Sequence, residues 1–217
     1  MKYADRGVPA VDGQDGAAAP RPYRMRKRAE QVEQTRQRIV DATVKLHTTV
    51  GPAKTTISGV AEEAGVTRLT VYRHFPDQEA LFAACGQRWA EQHPAPDPAT
   101  WRAIPDLEQR AHHALGELYA WYDDCGDDLA PIVRDREAMP QPVQQELDEE
   151  FQAYAQALVV GSGVRGHARR RLRATAGLVV SLWTWHTLTV EQGLTSKDAA
   201  ALAASMLTCA ATRHATT

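Results

Sequence analysis

Cysteine is scarce in this chain. Cys85, Cys125 and Cys209 are odd in number and far apart among 217 residues, which excludes a disulfide framework and the paired ligand spacing of a zinc site. A reducing cytoplasm is the expected location, with no metal and no cofactor. No apolar run is long enough to span a membrane, because Arg, His, Gly or Thr interrupts each one, and no basic start leads into an apolar stretch of the secretory kind. Strand-like alternation and internal repeats are missing too, so the fold is expected to be all-α. What the chain does have is apolar residues at helical spacing: 43% of it is hydrophobic, enough for the cores of one or two domains.

Charge is unevenly spread. The formal net of -2 hides a basic stretch from Arg21 to Gln78, where eleven Lys or Arg face six Asp or Glu, a local net of +5 that leaves -7 for the rest. A basic end on an acidic body suits DNA, since phosphate neutralisation supplies most nonspecific affinity. Residues 1–20 are rich in Gly, Ala, Asp and Pro and cannot offset the entropy of ordering, so a disordered tail is expected. Arg21 to Arg28 reads as a basic arm ahead of a first helix that starts near Glu30. That arm either follows a DNA backbone or minor groove or is a solvated charge run.

The most informative stretch runs from Thr55 to Phe75. Ile57, Val60, Ala61 and Ala64 fall at i, i+3, i+4 and i+7, an apolar stripe on a helix about two turns long. Gly65 ends it, because glycine tolerates the left-handed backbone of the following turn, and Thr67 is placed to cap the next helix. Val66, Val71 and Phe75 seat that second helix on the first. Thr67, Arg68, Leu69, Thr70, Tyr72, Arg73 and His74 remain outside, a surface able to bond phosphates and base edges and to touch a thymine methyl. The competing reading is a helical hairpin used only for protein contacts.

In Ala64-Gly65-Val66-Thr67, Val71-Tyr72-Arg73-His74-Phe75 and Asp77-Gln78-Glu79-Ala80-Leu81, the segment from about Arg36 to about Ala84 resembles the DNA-binding domain of the tetracycline-repressor (TetR) family of transcriptional regulators. The resemblance implies phosphate contacts from Thr55 and Thr56, base reading by Arg68, Leu69, Thr70 and Tyr72, and a backbone contact from His74. Gln78 stands where members often place a phosphate-binding lysine, so its contact becomes a neutral hydrogen bond or is lost. Gly59 occupies a helix interior, where glycine costs roughly 1 kcal/mol relative to alanine.

The implied architecture is an N-terminal three-helix helix-turn-helix domain with a C-terminal helical bundle, about nine helices in all, forming a homodimer. The expected divisions are a tail and arm over 1–28, a head with connecting helix over 29–93, and a ligand-binding and dimerisation domain over 94–217. A fourth helix is expected from Asp77 to about His93, then a break at Pro94-Ala95-Pro96-Asp97-Pro98. Further helices are expected near 105–123, 129–136, 141–160, 167–192 and 197–213. Apolar surface wraps much of the 167–192 segment, and Ala200, Ala203, Leu207 and Ala210 give the last helix a small-residue face for close approach of a partner helix. The resemblance assigns these two helices to the dimer interface.

The function implied is a ligand-responsive regulator, in this family most often a repressor, that binds a palindromic operator as a dimer and is released by a small molecule. Trp121, Tyr154, Trp183, Trp185 and His186 are the expected ligand-binding residues; His186 could equally be a satisfied core histidine. No enzyme activity is expected, although Asp123, Asp124 and Asp127 have the spacing of an aspartate-rich magnesium site in all-α enzymes. At a helix end beside Gly126 they read instead as a solvated loop. A DNA-binding dimer without ligand control is the other alternative. His112 and His113 are adjacent and diverge on a helix, so they cannot serve one metal in the i, i+4 manner.

Overall fold

The computed structural model describes residues 21–212, with side chains from 25 to 211, so the tail expected over 1–20 lies outside the described residues. The chain divides into two compact units, residues 1–36 and 37–217. The described part of the first, 21–36, is helical. Its exposed surface carries the Arg26–Glu30 ion pair and a Thr35 hydroxyl donating to the Gln31 carbonyl at 2.9 Å. Helix α1 therefore begins at Arg21 rather than near Glu30 (α1, Arg21–Thr49), and the basic arm is part of it. Nothing between Arg21 and Glu30 except Pro22 opposes a helix, and proline is tolerated in a first turn.

Residues 37–217 hold two apolar cores. The first joins Ile39, Val40 and Ala42 of α1 to α2 (Ile57–Glu63), α3 (Arg68–His74) and α4 (Gln78–Gln92) through Val60, Ala61, Ala64, Val71, Phe75 and Leu81. The second is built from α6 (Leu107–Arg134), α7 (Gln141–Val159), α8 (Gly166–Val179), α9 (Leu182–His186) and α10 (Ser196–Thr212). Short α5 (Pro98–Arg102) adds fully buried Trp101, whose Nε1 donates to Glu117 at 2.6 Å. Irregular structure after α4 is thus shorter than expected, because Pro98 suits a first helical position and Asp97 caps it through the Ala99 amide at 2.8 Å. The described residues form ten α-helices and no strand.

The two helices expected over 105–123 and 129–136 are one. Gly126 does not break α6; it faces the indole of Trp185, and a Cβ there would lie 2.5 Å from that ring. The missing side chain is what lets α9 pack this close. Asp123, read as part of a loop, is helical, and its carboxylate accepts from Trp185 Nε1 at 3.2 Å and from the Ser196 hydroxyl. Pro131 near the C-terminal end of α6 leaves only the Asp127 carbonyl without its helical donor.

The segment expected as one helix over 167–192 is broken at Val180-Ser181. Ser181 is extended and caps α9, and the turn Thr187–Glu191 is of the wider π type. The carbonyls released by the break are met by Tyr119, donating to Val179 at 3.0 Å, and Tyr122, donating to Val180 at 2.6 Å. The break resets the helical phase. Leu172, Ala176, Val179, Leu182 and Trp185 are buried, while Leu178, Trp183 and Val190 face outward.

On α10 the expected partner-facing residues are reversed. Ala200, Ala203 and Leu207 are buried in the protomer's own second core, and the exposed apolar stripe is Leu202 and Met206. The small-residue face does admit a close helix, namely α6 of the same chain.

Candidate functional site

The reading head is fixed by its caps. Thr56 accepts from the Gly59 amide at 3.0 Å to open α2, and Thr67 accepts from the Thr70 amide at 3.2 Å to open α3. Between them Gly65, at φ 63°, lets Val66 N donate to Ala61 O at 2.9 Å and its own amide donate to Glu62 O at 3.1 Å. That double closure is the Schellman end, which requires a left-handed residue. Asp77 opens α4 through the Ala80 amide at 2.8 Å.

With Val71 and Phe75 turned into the core, α3 offers its other side to solvent. Leu69 is 60% and Tyr72 48% exposed, a large apolar and aromatic surface that the core does not use. Arg68, Arg73, Thr67 and Gln78 are exposed beside them, with Thr70 and His74 half-buried. Lys45 is neutralised by Glu63 at 2.6 Å and Arg88 by Asp41 at 3.0 Å, whereas Arg68 and Arg73 have no acidic partner among the described residues. Thr55 differs from its expected role. Half-buried, it directs its hydroxyl proton to the Gly51 carbonyl at 2.9 Å, so its oxygen would have to turn before it could grip a phosphate.

Between α1 and α4 on one side and α6 and α7 on the other lies a cavity of about 250 Å³. Of the residues expected to bind ligand, Trp121 and Tyr154 line it. Trp183 lies 42% exposed on the surface, Trp185 is buried against Gly126, and His186 pairs with Glu191 at 3.5 Å; none of these three reaches the cavity. The phase reset at Ser181 carries them elsewhere. Asp123 is engaged by Trp185 and Ser196, and no group of three His, Cys, Asp or Glu among the described residues is arranged to hold a metal. His112 and His113 are both exposed, His113 reaching Glu117 at 3.3 Å.

The sequence reading missed the side of the cavity contributed by the head. His47 packs against Phe82 in a tilted arrangement with ring centroids 4.6 Å apart, and lies 3.4 Å from the Cys85 sulfur. Burial pushes His47 down to about 4 and the Cys85 thiol up to about 12, so both are neutral near pH 7. Trp89 meets Trp121 edge-on at 5.9 Å, and its Nε1 is buried without a hydrogen-bond partner. Tyr154 donates to Glu150 at 3.0 Å, and burial followed by the Glu150 charge pushes its phenol well above the ordinary range. The four-residue step from Trp89 to His93 was the available signal, an aromatic face on α4 pointing away from the head.

A second junction ties the head to the end of α6. Arg134 donates to the Val50 carbonyl at 3.1 Å, and Asp135 accepts from the Ala53 amide at 3.0 Å while also pairing with Arg134. The Arg134 guanidinium holds the Asp135 carboxyl below the usual carboxylate range. Gly51, at φ 92°, passes so close that a Cβ would sit 2.2 Å from the Asp135 carboxylate.

Residues 39–85 match the model of the bacterial regulatory proteins of the tetR family. The chain is 43% identical over 70 residues to the HTH-type transcriptional regulator SrpR of Pseudomonas putida, a stretch covering 32% of each. It is 38% identical over 58 residues to the regulator AcrR of Shigella flexneri, 27% of each. The likeness in sequence thus spans about a third or less of the length of these two relatives. Solved structures extend the likeness of fold. A tetR-family regulator from Streptomyces coelicolor superposes with a TM-score of 0.55 at 18% identity over 82% of each chain. NalD of Pseudomonas aeruginosa, described as the secondary repressor of the MexAB-OprM multidrug efflux pump, gives 0.55 at 18% identity over 83% of this chain and 97% of its own. The matched relatives are regulators rather than enzymes, and no described helix is long and apolar enough to cross a membrane. Over residues 39–85, then, the chain carries the reading head described for the bacterial regulatory proteins of the tetR family.

Proposed function

We propose that this chain is a ligand-responsive DNA-binding transcriptional repressor that acts as a homodimer on a palindromic operator. The observation that carries the reading is the solvent face of α3, where Arg68, Leu69, Thr70, Tyr72 and Arg73 stand on a short helix capped at its start and free of core duties. Such a helix fits a major groove, with Thr56, Thr67, His74 and Gln78 on flanking phosphates. The two apolar cores, one among α1 to α4 and one among α5 to α10, support a division into a head over 29–93 and a body over 94–217. Leu178, Trp183, Val190, Leu202 and Met206 supply an exposed apolar surface for a second copy of the body. The cavity, walled by head helices on one side and body helices on the other, supports control by a small molecule. A ligand that binds one head-to-body arrangement better than another shifts operator affinity by that difference.

Selection of random DNA by the purified protein tests this. The expected product is an inverted repeat with half-sites about one helical turn or more apart. Arg68→Ala should relax preference at one position per half-site, costing roughly 1 to 3 kcal/mol for a bidentate base contact. Tyr72→Ala should weaken specific binding with no change in melting. Recovery of no common sequence would reject the reading.

A further inference from the structure

The cavity walls have a chemistry that narrows what can occupy them. The interior is aromatic and aliphatic, with Phe82, Trp89, Trp121, Phe151 and Tyr154 among its walls, and the head contributes His47 in its neutral form. No Lys or Arg lines it. The charged groups that do are Glu146 and Glu150, four residues apart on α7 and both exposed, so they stand together where the cavity meets solvent. Glu150 is held in place by the hydrogen bond from Tyr154. Within the wall, the buried Nε1 of Trp89 has no acceptor, and a buried donor left unpaired is costly enough that a ligand acceptor facing it gains affinity.

We propose that the effector is an amphipathic organic cation: an aromatic or apolar body with a hydrogen-bond acceptor inside the cavity, and an ammonium group at the mouth against Glu146 and Glu150. The proposal rests on the ligand-responsive reading given above and adds the charge and shape of the ligand. An anion of the same size would meet two carboxylates with no cation to offset them. A neutral molecule would gain the apolar burial but nothing at the rim. Aromatic walls add attraction for a quaternary ammonium through their ring faces.

Benzoylcholine tests this, with 3,3-dimethylbutyl benzoate as a neutral molecule of the same shape. Each is titrated into the full chain without DNA, by calorimetry and by quenching of the Trp89 and Trp121 fluorescence. The expected result is binding of benzoylcholine at least fivefold tighter than the neutral ester in low salt. That preference should fall toward unity in Glu146→Gln/Glu150→Gln and shrink in wild type as salt is raised. Both glutamates are exposed, so the variant keeps its fold, which circular dichroism checks. Equal or tighter binding of the neutral ester, no binding of benzoylcholine, or a preference unchanged in the double glutamine variant each overturns the proposal. These results are independent of the DNA selection: a head that selects an operator without a cavity that prefers the cation leaves DNA binding standing. Conversely, cation binding in a protein that selects no operator leaves the cavity chemistry without the regulatory role.

Discussion

Gly126→Ala adds one methyl group at the closest contact between α6 and α9. Two opposing effects decide its outcome. Alanine is the better helix former, by up to about 1 kcal/mol in an interior position. Against this, the new carbon would sit 2.5 and 2.6 Å from two ring atoms of Trp185. The ring cannot simply swing aside, since Trp185 is buried, its Nε1 is tied to Asp123 and Ser196, and it packs on Tyr122 with centroids 5.8 Å apart. Overpacking of this kind costs roughly 1 to 3 kcal/mol. The net expectation is a loss of about 1 kcal/mol, or roughly 2 to 4 °C in melting temperature for a chain of this size. Urea unfolding followed by circular dichroism, with an unchanged slope, would measure it. The control is the same substitution in a Trp185→Leu background. There the steric effect is gone, so Gly126→Ala should become stabilising, and the two backgrounds should differ by about 1 to 3 kcal/mol. Equal effects in both backgrounds would refute the view that Gly126 exists to admit the indole.

Three further outcomes follow from the burial pattern. Leu202→Arg or Met206→Arg should give folded monomers by light scattering, while Ala203→Arg, placed in the protomer's own core, should lose cooperative unfolding; a folded monomeric Ala203→Arg would reverse the assignment of faces on α10. Gly59→Ala should raise stability by up to about 1 kcal/mol in chemical denaturation, because a Cβ there meets Thr56 at an ordinary 3.4 Å and helix propensity then dominates. His47 is held neutral, its folded pKa of about 4 lying below the unfolded 6.5, so stability should be full above about pH 6.5 and decline as pH falls toward 4. The loss attached to this one group is up to about 3 kcal/mol, and a pH series of melts on wild type and His47→Gln would check it, the decline between about pH 6.5 and 4 being shallower in the variant by that amount.

The head could be read from the sequence because each of its signals is local. Gly65, Thr67 and Asp77 act within four residues of where they stand, and the stripe from Ile57 to Ala64 needs only its own helix. The body is different. Gly126 looks like a breaker until Trp185, nearly sixty positions later, is seen against it. Likewise, nothing near Ser181 marks the end of a helix, since the released carbonyls are satisfied by Tyr119 and Tyr122 from α6. The small-residue face of α10 called for a close neighbour without saying whose, and α6 of the same chain fills that place. Trp183, Trp185 and His186 are expected at a ligand only through the family resemblance and their aromatic character, and the reset at Ser181 separates all three from the cavity. One wall of that cavity comes from α1 and α4, whose aromatic residues carry no label separating a wall from a core.

The contact between Gly51 and Arg134-Asp135 bears on how freely such proteins exchange parts. A graft that joined another reading head to this body would have to bring a glycine, or a wholly different fit, at the position of Gly51, because any side chain there collides with Asp135. The same graft would need a chain carbonyl where Val50 receives Arg134 and an amide where Ala53 meets Asp135. Heads are therefore not interchangeable cassettes here. A recombinant that met only the DNA-reading requirements would join its two halves without the contact that registers one against the other.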